Sequence, residues 1–351
     1  GKGTKRYLSV FVALDAQTMK VASLLFNLAA GWDGDSTWDS FTGEMGEMKG
    51  SASFGAYEII PRTPTGSELP YRLVPVHEFG EEKVLPIGSA FKLWVLGALA
   101  EEVAAGRVRW EERMPIYESL KSLPSGVMQE QPGGTPFPIS AYARLMVSIS
   151  DNTAADHLIA RIGRERVEAF MSKVTDRPRL NQPLLSTREL FALKIGNDPE
   201  LMEDYLAVGQ EQRRRMSAPG GRLFRARPEV FSALYWTKPI AVDKLEWFAS
   251  CHDLCRAMAA LRELEKREGL GPVGEALRIN PGIPYKREAW KSVGFKGGSE
   301  PGVMNLTFLL ERADGRWFVM STGWSSPTET LEEARLVELA AKGLDLLEKH
   351  E

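Results

Sequence analysis

Cysteine is scarce, with two residues (Cys251 and Cys255) in 351, and histidine is nearly so, with four. Two cysteines cannot make a disulfide-dependent fold. A zinc site is not expected either, because His77, His157 and His350 show no ligand spacing around the cysteine pair. Residues four apart share a helix face, so Trp247, Cys251, Leu254, Cys255 and Met258 read as one core stripe. A charge excess is also lacking: 44 basic against 47 acidic residues leave a net charge of −3. With no basic stripe carrying interleaved aromatics, nucleic acid is not an expected partner. No apolar run approaches the ~20 residues of a membrane span. There is no internal repeat, G-x-S-x-G elbow, Walker motif, H-E-x-x-H or paired C-x-x-C. No metal or other cofactor is expected.

What is present is ordinary globular material, 43% apolar and 26% charged, enough for one large domain plus an appendage. Lys2, Lys5 and Arg6 followed by the apolar run Tyr7 to Leu14 superficially resemble an export leader. The run breaks at Asp15, however, and a polar turn at Ala16-Gln17-Thr18 precedes a second run from Val21. That pattern predicts a hairpin over 7–29, and neither export nor a cytoplasmic location is singled out. A short helix over 38–48 and strands over 53–60 and 71–79 follow, the strands joined by the turn-rich Pro61 to Gly66. Helical periodicity covers 89–105, 139–149, 153–162, 165–173, 186–196, 199–216 and 243–267. Strands are predicted at 290–296, 303–312 and 317–324. The closing helix is predicted to start at the capping box Ser326-Pro327-Thr328-Glu329. The order implies an α/β fold of α+β type: an antiparallel sheet drawn from both chain ends and flanked by helices, with a helical lobe from the middle of the chain and a cleft between. Residues 1–50 read as an N-terminal appendage and 51–351 as the main domain.

Three short elements carry chemistry. In Ser89-Ala90-Phe91-Lys92, the turn-prone residues before Ser89 place it at a helix N-terminus, where free N–H groups favour negative charge. Lys92, three residues on, shares its face and can take the serine proton if burial or a nearby cation lowers its pKa. On its own the element also fits a capping serine and a solvated lysine. Ser150-Asp151-Asn152 reads as an interhelical turn offering a hydroxyl for proton relay and an amide for a substrate carbonyl, or simply as a cap, through Ser150 or Asn152, of the next helix. Lys296-Gly297-Gly298-Ser299 ends a strand; its glycines allow close backbone approach, and its lysine can hold an anion and depress Lys92. His157, at helical spacing beside Ala154, Ala155, Leu158 and Ile159, reads as structural rather than as a base.

In this order and context the trio resembles the set of class A β-lactamases and penicillin-binding proteins, over roughly residues 53–351. The stretches Gly88 to Leu93, Ser122 to Gly126, Ser150 to Ala154, Ser186 to Phe191 and Lys296 to Gly302 are similar to β-lactamase-like proteins of clavam biosynthesis clusters. Those proteins carry an N-terminal domain resembling steroid isomerases, of which the 7–29 hairpin would be a remnant. The resemblance implies that Ser89 attacks an acyl carbon, Lys92 is the general base, Ser150 passes a proton to the leaving group and Lys296 binds anionic substrate. It further implies that Asn152 binds a substrate carbonyl or amide, that Gly297, Gly298 and Ser299 line the substrate, and that the N–H groups of Ser89 and Ser299 form the oxyanion hole. Two departures stand out. Segment 175–185 holds no glutamate to release an acyl-enzyme: Arg177 falls where the family has one, and Asp176 is the only nearby carboxylate. Gly297 stands where the family usually has a threonine, a hydroxyl for which Ser299 offers a substitute.

The expected function is a serine hydrolase forming an acyl-enzyme on a small ester, amide, peptide or β-lactam-like substrate, more esterase-like or penicillin-binding than an efficient β-lactamase. The alternatives are a true β-lactamase and a non-hydrolytic binding protein that keeps the cleft. The oligomeric state is left open.

Overall fold

The computed structural model describes residues 6–14, 21–30, 36–63, 69–227 and 236–351, the first two segments as backbone. Strands β1 (Arg6–Leu14) and β2 (Val21–Ala30) pair antiparallel with Leu8 opposite Leu28. This is the expected hairpin, and its polar turn lies outside the described residues. Helix α1 (Trp38–Gly46) opens on a capping box between Thr37 and Ser40. Strands β3 (Ser51–Pro61) and β4 (Tyr71–Phe79) follow.

The middle of the chain starts with β5 (Leu85–Pro86), a 3-10 turn at Gly88–Phe91 and α2 (Lys92–Ala104). After a short ribbon of β6 (Arg113–Pro115) and β7 (Pro136–Pro138) come α3 (Ile139–Ser148), α4 (Asn152–Ile162) and α5 (Arg164–Val174). Next are α6 (Thr187–Ile195), α7 (Pro199–Ala207), α8 (Gln210–Ser217) and α9 (Arg222–Arg225). The chain then returns through β8 (Phe248–Ala249), which pairs with β5, to α10 (Cys251–Glu265) and α11 (Gly271–Arg278). Strands β9 (Trp290–Glu300), β10 (Val303–Arg312) and β11 (Trp317–Ser325) and helix α12 (Glu333–Glu348) close it.

The main sheet has the antiparallel order β4-β3-β11-β10-β9, so strands from both chain ends interleave. Both of its faces are covered, which is why its central strands are buried almost without interruption. On one face Phe54, Phe308, Phe318 and Met320 pack against α1 and α12. On the other, Tyr57, Leu309 and Val319 meet the helical lobe. Phe41 and Met45 of α1 lie in the first of these cores, so a boundary at residue 50 does not divide the packing. At the centre of the lobe, α2 buries Leu93, Trp94, Val95, Leu96 and Leu99, apolar on every side as a fully enclosed helix must be. The cysteine stripe is buried as expected, with both thiols free. No described helix is long and apolar enough to cross a membrane.

Four expectations are corrected by the structure. The helix predicted over 199–216 is two helices, because Val208 and Gly209 turn extended and Gly209 caps α8. The helix predicted from 243 starts only at Cys251, where Ser250 and Asp253 form a capping box after Phe248 and Ala249 have paired with β5. Ser326 accepts from the Glu329 N–H at 3.0 Å, but this closes a turn, and the helix starts at Glu333. Helix α11 is absent from the sequence expectations, since Gly271, Pro272 and Gly274 hide its period. At Gly274 a Cβ would displace the Glu265 carboxylate, 1.7 Å from its Oε2.

Candidate active site

Ser89 sits in the 3-10 turn that leads into α2, and Lys92 is the first residue of α2 proper. The local fold follows from two glycines. Gly88 has φ +50, and a Cβ there would stand 3.0 Å from Ser299 N. A Cβ on Gly298 would stand 2.1 Å from Ile87 O and 2.4 Å from Ser89 N. Turn and strand thus touch backbone to backbone, which only glycine permits. The contact sets the backbone at Ser89 against that of Gly298 and Ser299 at the edge strand β9.

Lys92 Nζ is wholly buried. It donates to Ser150 O and to Asn152 Oδ1, each at 2.6 Å, and lies 3.0 Å from Ser150 Oγ and 3.2 Å from Ser89 Oγ. A carbonyl and an amide oxygen can only accept, so they take two N–H bonds. The remaining valence of the amine faces hydroxyls. In the neutral form it is a lone pair directed at groups able to give it a proton. Burial lowers the Lys92 pKa to about 7, against the opposing pull of Asp151 and Asp156.

Lys296 reaches the same place from β9, 3.1 Å from Ser150 Oγ and bonded to Gly297 O. Burial first, and the charge of Lys92 second, hold its pKa well below the usual lysine range. Two neighbouring ammonium groups disfavour each other's charge, as expected of this pair. Burial is the leading cause at both lysines.

Ser150 can serve both lysines because it adopts φ 59, a left-handed conformation that turns its carbonyl and its hydroxyl the same way. For a residue with a Cβ this costs on the order of 1–2 kcal/mol. Ser125 Oγ adds a donor to Ser150 O at 2.7 Å. The helix cap in this turn is Asp151, rather than Ser150 or Asn152. One carboxylate oxygen accepts from Ala154 N at 2.8 Å, and the other from Val127 N at 2.7 Å and Met128 N at 2.9 Å. Gly126 makes room for it: its φ is +112, and a Cβ would lie 2.3 Å from Asp151 Oδ2. Replacing Asp151 with alanine should remove the cap and strand two buried N–H groups, a loss of about 3 kcal/mol, readable in denaturant unfolding.

Asn152 is committed within the protein: Oδ1 holds Lys92, and Nδ2 donates to Leu123 O at 3.0 Å. It orients the amine before it can meet a ligand. His157 spends both ring nitrogens on backbone, accepting from Tyr117 N at 2.8 Å and meeting Thr153 O at 2.7 Å. Its placement is structural. At Gly297 a Cβ would stand 2.7 Å from Cζ of the Phe295 ring and 3.2 Å from Asn305 O. A side chain there would need the ring to shift.

The sequence model of the β-lactamase enzyme family matches residues 76–218. A β-lactamase from Sphaerobacter thermophilus DSM 20745 is 17% identical, covers 88% of this chain and 97% of its own, and superposes with a TM-score of 0.56. The structure of PBP-A is 15% identical over 88% and 95%, with a TM-score of 0.54. A β-lactamase from Burkholderia phymatum is 18% identical over 88% and 97%, also at 0.54. A comparison with curated proteins gives no match. The chain has the β-lactamase/transpeptidase-like fold.

Within this β-lactamase-like fold, no hydrogen bond among the described residues joins segment 175–185 to Ser89, Lys92, Ser150 or Lys296. Asp176 is exposed and paired with Arg256, and Arg177 is exposed. Asn181 clamps Phe248 in both directions, at 2.8 Å and 2.7 Å, although the two are 67 residues apart in sequence. Among the described residues, none of the hydrogen bonds of Ser89, Lys92, Ser150 and Lys296 involves a carboxylate. Sequence reasoning misses Asp151, Ser125 and Asn181 as supports of the site. Asp151 carries a usable signal, since an aspartate directly before a helical run is a capping residue.

Proposed function

We propose that this protein is a serine hydrolase that forms an acyl-enzyme at Ser89 on a small ester, amide, peptide or β-lactam-like substrate. The observation that carries this reading is the buried Lys92 amine, anchored by two obligate acceptors and facing Ser89 Oγ. Lys92 takes the Ser89 proton as Oγ forms a bond to the acyl carbon. The negative charge moves to the acyl oxygen, which the N–H groups of Ser89 and Ser299 receive. As the bond to the leaving group breaks, Ser150 hands it a proton that Lys92 replenishes. An anionic group on the substrate would draw a proton onto Lys296 and bind there.

Release is the weak half of the cycle. Water must attack the acyl ester, and no carboxylate is bonded into the cluster to activate it. We therefore favour esterase-like or penicillin-binding behaviour over efficient β-lactam turnover. We also place the chain near the clavam-cluster proteins, on the five sequence stretches quoted above. A fluorescent penicillin and p-nitrophenyl esters test the reading: the wild type should be labelled or should turn over, and Ser89→Ala should do neither. Survival of both activities in Ser89→Ala would remove Ser89 from the chemistry. The same missing carboxylate favours, as second reading, a binder that acylates and does not release. Intact mass then shows a persistent adduct, whereas nitrocefin turnover at many equivalents marks a true β-lactamase.

A further inference from the structure

Beside the oxyanion edge lies a buried charged cluster with no part in the steps above. Lys194, near the end of α6, contacts Glu246 Oε1 at 3.3 Å and bonds to Glu300 Oε1, and the three side chains are 0%, 1% and 3% exposed. Glu300 Oε2 is buried without a hydrogen-bond donor. One lysine cannot neutralise two carboxylates, and a third buried charge is costly. A single proton held between the two carboxyls balances the cluster and gives the stranded oxygen its partner. Burial, and then the charge of Glu246, push the Glu300 carboxyl well above the usual range, against the pull of Lys194.

The position of the cluster gives it a task. Alternate residues of a strand share a face, so Glu300 follows Lys296 and Gly298 along the side of β9 that meets Ser89, one residue beyond Ser299. Glu246 Oε2 accepts from Trp247 N at 2.8 Å. Trp247 O in turn accepts from Ile87 N at 2.9 Å, and the indole stacks on Phe91 at 3.8 Å. One arm of the cluster thus ends on the residues flanking Ser89, the other on the neighbour of Ser299. Lys194 joins them from α6, whose first residue, Thr187, donates to Asn152 O at 3.2 Å. Helix α6 therefore braces the Ser150-Asp151-Asn152 turn at one end and the oxyanion edge at the other.

We propose that Lys194, Glu246 and Glu300 form a clamp that positions the N–H groups of Ser89 and Ser299, and that the clamp works only while its two carboxyls share one proton. The proposal rests on the hydrolase reading for its catalytic consequence and stands alone for the shared proton. These are positioning residues. The charged groups facing Glu300 among the described residues are Lys194 from α6 and Glu246 from the segment before β8, with Lys296 further along the same face of β9. The Trp236 ring, 5.8 Å from Lys194 Nζ, brings no titrating group. Loss of the proton adds a negative charge beside the place where the oxyanion forms, so acylation falls at alkaline pH.

Single-turnover acylation by p-nitrophenyl acetate, followed from about pH 5 to pH 10, tests this with Glu300→Gln, which imitates the protonated carboxyl, and Lys194→Met. Wild-type acylation should fall on the alkaline side, and Glu300→Gln should lack that fall. Lys194→Met should lower the rate constant about 10-fold or more, with little change in the ester concentration needed for saturation. Superimposable alkaline limbs for wild type and Glu300→Gln overturn the proposal.

Thermal unfolding over the same pH range separates this result from failure of the hydrolase reading. The folded carboxyl keeps a proton that the unfolded glutamate, with its ordinary value of 4.5, gives up. Its stabilisation is thus full below that value and is lost as pH rises toward the raised folded value. Glu300→Gln should flatten this part of the curve whether or not any ester reacts. Identical melting profiles for the two proteins would show that no such proton is held.

Discussion

Gly298→Ala should slow acylation of Ser89 by about 100-fold or more while the domain still folds. The added methyl would stand 2.1 Å from Ile87 O, 2.4 Å from Ser89 N and 2.7 Å from Ala90 N. All three are backbone atoms, so none can rotate away as a side chain would. Strand β9 must yield instead. It is the edge strand of the main sheet, and among the described strands it pairs with β10 alone, so it can move without unravelling the sheet. If the proposed oxyanion hole is right, that movement separates the N–H groups of Ser89 and Ser299, and such paired donors are worth a few kcal/mol in acyl transfer. Gly297→Ala is the control, because there the methyl meets the Phe295 ring, which can swing aside at small cost. Single-turnover kinetics with an activated ester should rank wild type above Gly297→Ala, and both far above Gly298→Ala. Equal rates for the two variants would mean that the strand does not supply an oxyanion donor.

Lys92→Arg should be nearly as inactive as Lys92→Met, with acylation reduced on the order of 10³-fold in each. Arginine keeps the charge, yet cannot give up its proton at accessible pH, and its planar fork does not fit a tetrahedral set of acceptors. Methionine keeps the length and strands Asn152 Oδ1 without its donor, while Ser150 O keeps only Ser125 Oγ. Near-normal acylation by Lys92→Arg would show that the site needs a cation rather than a base. In the wild type, the base form of Lys92 grows as pH climbs through about 7. Acylation should therefore rise with pH through the same region, and both variants should lose that rise.

The reactive trio was legible because each member occupies a locally coded position: a helix start, an interhelical turn and a strand end. Sheet strands at both chain ends were legible for the same kind of reason, since their apolar runs are long and well bounded. Helix ends were harder. The segment before Cys251 has helix-compatible residues, and only its pairing with β5 keeps it extended. Helix α11 disappears behind a proline and two glycines, which hide its period. The supports of the site were hidden for a deeper reason. Lys194 meets Glu300 across 106 residues, and Asn181 meets Phe248 across 67. No periodicity or local motif announces such pairs. Asp151 is the exception, a local signal credited to its neighbours.

The interleaved sheet also governs how the protein can be made. Strand β3 lies between β4 and β11, so when the early strands leave the ribosome one of their two partners does not yet exist. Until β9, β10 and β11 have been synthesised, β3 and β4 have only each other, a ribbon too small to stand alone in water. Lys296 and the Ser299 N–H arrive with those same late strands. Chains released before about residue 325 therefore carry Ser89 and Lys92 without a finished sheet, exposed to aggregation. Supplying β9 to α12 as a separate fragment should reveal whether the two halves can still find each other.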